Sequence, residues 1–506
     1  MPRFRDRDGF ASSWLRGRAF ACWHRVAGDL VTAVAAYLKL RAALDGPAFL
    51  LESVEGGSAR GRYSIIGLAP DLIWRCHEGR SEIDRDARDG TGTFSPIEEP
   101  ALEAVRRLIA ESEVKLDEGL PPMSAGLFGY LGYDLVREME RLGPPKPSPV
   151  GVPDAILVRP TILVIFDHVR DEISVVHTVR PSAGGDLDRA FAGSQAAIEA
   201  VLQRLEEAIP HVPGARPRLG AASVTPASNL SGDEFGAMVA AAKKHIAAGD
   251  IFQAVLSQLF QASFPLPPVE LYRSLRRINP APFLCYLDFE DFQIVCSSPE
   301  ILVRVRDGVV TVRPIAGTRP RGATGAEDER LAAELLADPK ERAEHLMLLD
   351  LGRNDVGRVA ELGTVEVTES FLIERYSQVM HIVSNVTGRL RADRDGVDAL
   401  VAGFPAGTVS GAPKIRAMQI IDDLEPCGRG PYAGCIGYFG PRGQMDTCIV
   451  LRTAGVRDGM MYVQAGAGIV HDSDAASEAQ ECVNTAGALF RAAADALRRA
   501  APDVGE

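Results

Sequence analysis

After Ser231 the chain interleaves strand-like apolar runs with helical patterns, and this switching between two periods is its strongest constraint on fold. Apolar or alternating runs occupy 251–262, 283–289, 292–306, 309–314, 433–439, 447–456 and 460–467. Helical spacing occupies 233–248, 268–277, 326–354, 397–402, 411–422 and 474–498. The mixture predicts an α+β fold. Upstream, strand-like runs at 47–52, 62–68, 156–166 and 172–177 mark a β-rich region, a helix is expected at 186–208, and HVPGARPRLGAASVTPASNLSG reads as a linker. The expected division is a flexible tail at 1–20, an N-terminal region at 21–180, helix and linker at 181–230, a larger domain at 231–495 and a tail at 496–506.

At 506 residues the chain exceeds one ordinary core. Asp and Glu number 68 against 55 Lys and Arg, a net charge of −13 that argues against coating nucleic acid or an anionic membrane. The 8 cysteines form no CxxC pair, so they are read as reduced and packed, which points to the cytoplasm. No apolar run approaches the roughly 18 residues of a membrane span. The arginine-rich start lacks the apolar core of a signal peptide.

Two acidic pairs stand out. Asp338-Pro339 is a good helix opening, and Glu341 and Glu344 then fall on one face. A second helix opening near Ser473 or Asp474 gives Glu478 and Glu481 the same spacing. Four converging carboxylates would repel one another unless a hard divalent cation neutralised them, and oxygen ligands suit Mg²⁺. The same spacing is common on solvated helix faces, but Glu341 and Glu344 lead directly into the apolar run LMLLDL.

FPAGTVSGAPK (404–414) joins Thr408 and several glycines to a helix start, which fits either an anion-binding loop or a tight turn; the Walker spacing is absent. QAGAGIV supplies Gly466, Ala467 and Gly468 after a strand pattern, and Arg452 lies within another. Glu300 ends the segment SSPE, where burial would raise its pKa and exposure would not. His381 alternates with Met380 and Ile382 on a strand, a placement more common for a structural than for a catalytic histidine.

Together PIAGTRPRG (314–322), QAVLSQ (253–258), SSPE (297–300), AEHLMLLDLGRND (343–355), FPAGTVSGAPK and SEAQEC (477–482) closely resemble the chorismate-utilising enzymes, specifically the anthranilate synthase large subunits. The resemblance covers roughly 47–490 and implies a two-domain β-sandwich of packed antiparallel sheets with helices outside. It implies Glu300 as general acid, His381 as the active-site histidine, and Mg²⁺ held by Glu341, Glu344, Glu478 and Glu481. Substrate carboxylate would meet Arg452, Thr408 and the backbone of Gly466, Ala467 and Gly468. Relatives that add water carry a lysine base at Gln253, and aminodeoxychorismate synthases carry a lysine nucleophile at Ala316. Neither glutamine nor alanine performs those roles, which leaves ammonia as the attacking group.

The same resemblance places a tryptophan effector site at Glu52, Ser53, Arg62, Asn279, Pro280, Pro282, Phe283 and Cys448. With no glutaminase nucleophile elbow in the chain, it implies a separate glutamine amidotransferase subunit as ammonia source. Its function would be conversion of chorismate and ammonia to anthranilate and pyruvate, the first step of tryptophan biosynthesis, inhibited by tryptophan. Aminodeoxychorismate synthase and a catalytically weakened chorismate-binding regulator are the alternatives. One position departs from the pattern: relatives continue the second acidic helix as ECxNKA, and this chain has ECVNTA, with Thr485 in place of lysine.

Overall fold

The computed structural model describes residues 7–55, 59–90, 92–181, 185–210, 224–376 and 379–500. The expected linker therefore falls in part, at 211–223, outside the described residues, as do the ends of both expected tails. The rest is α+β, and all its named strand pairings are antiparallel.

The two halves of the chain share a sheet network. Strand Ala48–Glu55 pairs with Phe283–Asp288 in the register Glu52↔Leu284, and Leu127–Leu131 pairs with Cys435–Phe439 in the register Leu131↔Cys435. Ala59–His77 runs beside Ala155–Asp167, whose first twelve residues are all buried, as expected of a strand covered on both faces. The cores cross the same seam: Tyr37, Leu50 and Val164 pack in one cluster with Leu256, Tyr272 and Phe490. Each such fully buried large side chain contributes about 1.5–3 kcal/mol relative to exposure.

Local chemistry explains the helix ends. Ser231 and Glu234 close a capping box that starts Gly232–Ala247. The last helix, Ala475–Ala500, buries Cys482, Ala486, Leu489, Ala493 and Ala496, a stripe of three- and four-residue spacing that packs on Pro268–Ile278 and Met460–Ile469. Its small residues let those elements approach closely.

Several expected elements differ from the structure. The start is no loose tail from residue 7 onward: Arg7–Leu15 is a helix whose Phe10 is buried against Trp14, Phe20 and Phe191. The last helix likewise runs past 496 to Ala500. The helical pattern 326–354 is two helices, Gly325–Ala337 and Pro339–Gly357, because proline disfavours helical backbone before it and Asp338 caps the second instead. The run 292–306 divides into Gln293–Ser298 and Ile301–Arg306, and 447–456 into Met445–Ile449 and Thr453–Arg457. Strands Phe20–Ala27, Ile315–Pro320 and Glu366–Arg375 carry too little continuous apolar pattern to be read in advance.

Candidate active site

Glu300 occupies the joint between Gln293–Ser298 and Ile301–Arg306, directly after Pro299, where the ladder is interrupted. Its residue is 6% exposed, and burial pushes its carboxyl up to about 8. The Ile315 amide, which donates to Oε1 at 3.4 Å, and the nearby Thr408 hydroxyl and Arg452 guanidinium oppose that rise without cancelling it. Thr408 Oγ1 is itself buried and, apart from its interaction with the Glu300 carboxyl, has no hydrogen-bond partner among the described residues. Arg452 sits at the second strand break with φ of 48°, a left-handed conformation that aims its side chain back toward Glu300 and His381. Burial lowers its pKa, and no described carboxylate forms an ion pair with it.

His381, on strand Val379–Arg389, lies with Nδ1 3.1 Å from both Gly317 O and Thr318 Oγ1. A carbonyl only accepts, so Nδ1 carries the proton and Nε2 presents its lone pair; Nε2 is buried and has no partner in the protein. Burial, then the Arg452 charge, lowers the imidazole to about 4. Opposite runs Ile315–Pro320, with Ala316 in register with Ile382 and a bulge at Gly317. Gly317 has φ of 73°, and a Cβ there would come within 3.1 Å of Glu341 Oε2, so this turn also sets the approach of the acidic helix.

The two acidic pairs do meet. Glu344 on Pro339–Gly357 is raised by burial, then by Glu341, with Glu478 adding to it; Glu481 on Ala475–Ala500 is raised by burial, then by Glu478, Glu344 and Glu341. Lys340 opposes both shifts. Arg319 holds Glu341 at 2.9 Å, and Gln253 Nε2 lies 3.5 Å from Glu344 Oε1. Gln253 in turn fills the space over Gly468, where a Cβ would come within 2.3 Å of Nε2. The repulsion that raises Glu344 and Glu481 is what a hard cation held among these carboxylates would relieve. They do not form a tight shell, since the described ligand-type side chains whose donor atoms all lie within 4.8 Å of one another are cysteines instead.

Gly466, Ala467 and Gly468 pair with Ser257, Leu256 and Val255 along one edge of Met460–Ile469. Pairing on the other edge, to Thr453–Arg457, ends at Val463, which leaves the glycine segment open on the side of Arg452.

The expected effector residues divide. Glu52, Ser53, Arg62, Phe283 and Cys448 line one cavity of about 570 Å³, together with Leu51, Arg304 and Tyr438. Asn279, Pro280 and Pro282 do not line it; Asn279 instead exchanges hydrogen bonds with Ser297. The Glu52 carboxylate is taken by Tyr272 at 2.6 Å and by Arg276 at 2.7 and 3.0 Å, and Arg62 pairs with Asp167.

Residues 47–491 match the chorismate binding enzymes. The chain belongs to the chorismate binding enzyme family. It is 52% identical over 491 residues to anthranilate synthase component 1 of Cereibacter sphaeroides, covering 97% of each chain, and 47% identical to that of Pseudomonas aeruginosa, covering 92% of this chain and 94% of the relative. The crystal structure of anthranilate synthase component I from Streptococcus pneumoniae is similar at a TM-score of 0.76 and 36% identity, over 92% of this chain and 99% of that one. The menaquinone-specific isochorismate synthase of Escherichia coli, 20% identical with a TM-score of 0.69, shares the fold.

Within this chorismate-binding enzyme some supporting residues escaped sequence reasoning. Lys414, the last residue of FPAGTVSGAPK, is buried and bonds Asp355 of LGRND at 2.9 Å, tying two motifs together. Arg429 does the same for Glu425, Val255 O and Val409 O. Tyr376 faces the His381 ring at 5.6 Å. Their only sequence signal was a charge or aromatic group beside a motif.

Proposed function

We propose that this chain converts chorismate and ammonia to anthranilate and pyruvate as the large subunit of an anthranilate synthase. The observation that carries the reading is Glu300, a carboxyl kept protonated at neutral pH beside a partly buried arginine, Arg452, that has no ion-pair partner among the described residues. Protonated Glu300 gives its proton to the departing C4 hydroxyl of chorismate, while ammonia attacks C2. Arg452, Thr408 and the open edge at Gly466–Gly468 hold substrate carboxylate, with the guanidinium suited to two-point recognition. His381, neutral with Nε2 free, orients the substrate or accepts the proton lost as pyruvate leaves.

Glu341, Glu344, Glu478 and Glu481 would hold Mg²⁺, which when bound supplies positive charge for a substrate carboxylate. Ala316 and Gln253 carry no amine, which supports free ammonia as the nucleophile. A glutamine amidotransferase subunit would supply it in the cytoplasm. Phe252, Leu346, Ile415 and Val483 are exposed large apolar side chains on or next to elements that carry the site, and they are available to such a partner. The cavity lined by Leu51, Ser53, Phe283 and Cys448 would take tryptophan as an inhibitor. No helix of the described residues is long and apolar enough to cross a membrane.

The test is the purified chain alone with chorismate, Mg²⁺ and high ammonium, followed by fluorescence and product chromatography. Anthranilate is the expected product. Aminodeoxychorismate as end product, or chorismate binding without turnover, would overturn the reading.

A further inference from the structure

Three thiols converge beside the large cavity, and the proposed reaction uses none of them. Cys285 and Cys296 face each other across the adjacent strands Phe283–Asp288 and Gln293–Ser298, and Cys448 reaches them from Met445–Ile449. Their sulfurs all lie within 4.8 Å of one another, and the residues are 4%, 0% and 1% exposed. None is in a disulfide. Among the described residues no fourth histidine, cysteine, aspartate or glutamate joins the group. Apolar neighbours, including Leu287, Ile294, Ile436 and Val450, surround it.

We propose that Cys285, Cys296 and Cys448 bind one soft d¹⁰ cation, best matched by Cu(I), in three-coordinate thiolate geometry. Metal–sulfur bonds of about 2.3 Å in a trigonal plane set the sulfurs about 4 Å apart, within the observed span. Thiolates select soft ions of this kind. The missing fourth ligand separates the group from the closed tetrahedral site that structural Zn²⁺ takes. Each sulfur releases its proton to solvent as its bond to the ion forms, and no oxidation state changes.

The surroundings favour loading. Cys285 and Cys448 line the cavity, which offers an entry route to the thiols. The group also lies between the cavity and the active site. Cys296 Sγ is 3.8 Å from Leu451 O, next to Arg452, and Ile449 after Cys448 donates its amide to Glu300 O at 3.0 Å.

Anaerobic titration of the reduced full chain with Cu(I) against a competing chelator tests the proposal. One tightly held equivalent per chain is expected, with an X-ray absorption spectrum showing a shell of three sulfurs. Cys296→Ser should lose that equivalent, and Cys76→Ser, which is remote from the group, should keep it. Should Cys296→Ser fail to fold, alkylation mapping of the parent chain serves instead: Cu(I) should protect Cys285, Cys296 and Cys448 together. No uptake, a shell of two sulfurs, retention of the equivalent by folded Cys296→Ser, or protection of other cysteines would overturn it. The proposal does not depend on which product the enzyme makes.

Discussion

Gln253 Nε2 lies 3.5 Å from Glu344 Oε1, so the residue standing where some relatives carry a lysine base is linked to the acidic cluster. Its own Oε1 is buried without a partner. Replacing Gln253 by Leu removes the amide that supports Glu344. A loss near 1.4 kcal/mol, about tenfold in ammonia-dependent kcat/KM, is expected from steady-state kinetics. An unchanged value would mean that the contact positions nothing.

Glu300 titrates near 8 in the folded chain, up from 4.5, so activity that needs its proton should fall as pH rises through about 8. Glu300→Gln should cost roughly 100- to 10,000-fold in kcat. Stability falls in the same direction. Between its ordinary value and about 8, the folded state keeps a proton that the unfolded state has lost, so folding weakens as pH rises across that window. Urea melts at several pH values should show Glu300→Gln to be less pH-sensitive and no less stable at neutral pH.

Lys340 holds down the raised carboxyls of Glu344 and Glu481, and Thr485 lies one turn beyond Glu481. Lys340→Ala should raise both carboxyls further and shift the acid limb of the Mg²⁺-activated pH profile upward. Adding Thr485→Lys should return it, since an ammonium at that position can pair with Glu481 across one turn. Failure of the second substitution to shift the profile would count against the compensation.

Asp355 and Lys414 form an ion pair with both side chains almost wholly buried. Removing one partner leaves the other charge unpaired, and Lys414→Met should destabilise the chain by about 3–5 kcal/mol in urea denaturation. Lys414→Met combined with Asp355→Leu should cost less than Lys414→Met alone. Additive losses would show that the two groups act separately.

The cavity is wide enough for an aromatic side chain of this chain to fill it. Leu51→Trp should abolish tryptophan binding measured by isothermal titration while leaving uninhibited turnover within about twofold of the parent. Binding that survives the substitution would place the effector elsewhere. The cross-strand register Ile301↔Cys448 runs one residue from Glu300, and the Ile449 amide donates to Glu300 O at 3.0 Å, so tryptophan in the cavity would have a short hydrogen-bonded route to the acid.

Periodicity located most helices after Ser231 and many strands, because those elements bury one face or both and their apolar spacing records it. It failed at Pro299–Glu300 and at Val450–Arg452, where two strands were read as one. Val450 and Leu451 continue the apolar run through the second joint, and at the first the short break Ser297-Ser298-Pro299-Glu300 is flanked by apolar residues on both sides. Glu366–Arg375 was missed for the opposite reason, since its pattern of exposure leaves little to bury.

What the sequence by itself determined is the set of groups: the acidic pairs at three-residue spacing, the glycines, Glu300, His381, and the alanine and glutamine that exclude a lysine nucleophile. Motif order also determined the family. Tertiary structure alone decided which of those groups share a dielectric. Glu300 becomes an acid because strands more than a hundred residues apart exclude water around it and bring Thr408 and Arg452 beside it. The same closure turned three scattered cysteines into one cluster and left Asn279, Pro280 and Pro282 off the cavity wall that Glu52, Ser53, Arg62, Phe283 and Cys448 line. Desolvation and distance are properties of the packed chain, and neither is written in local spacing.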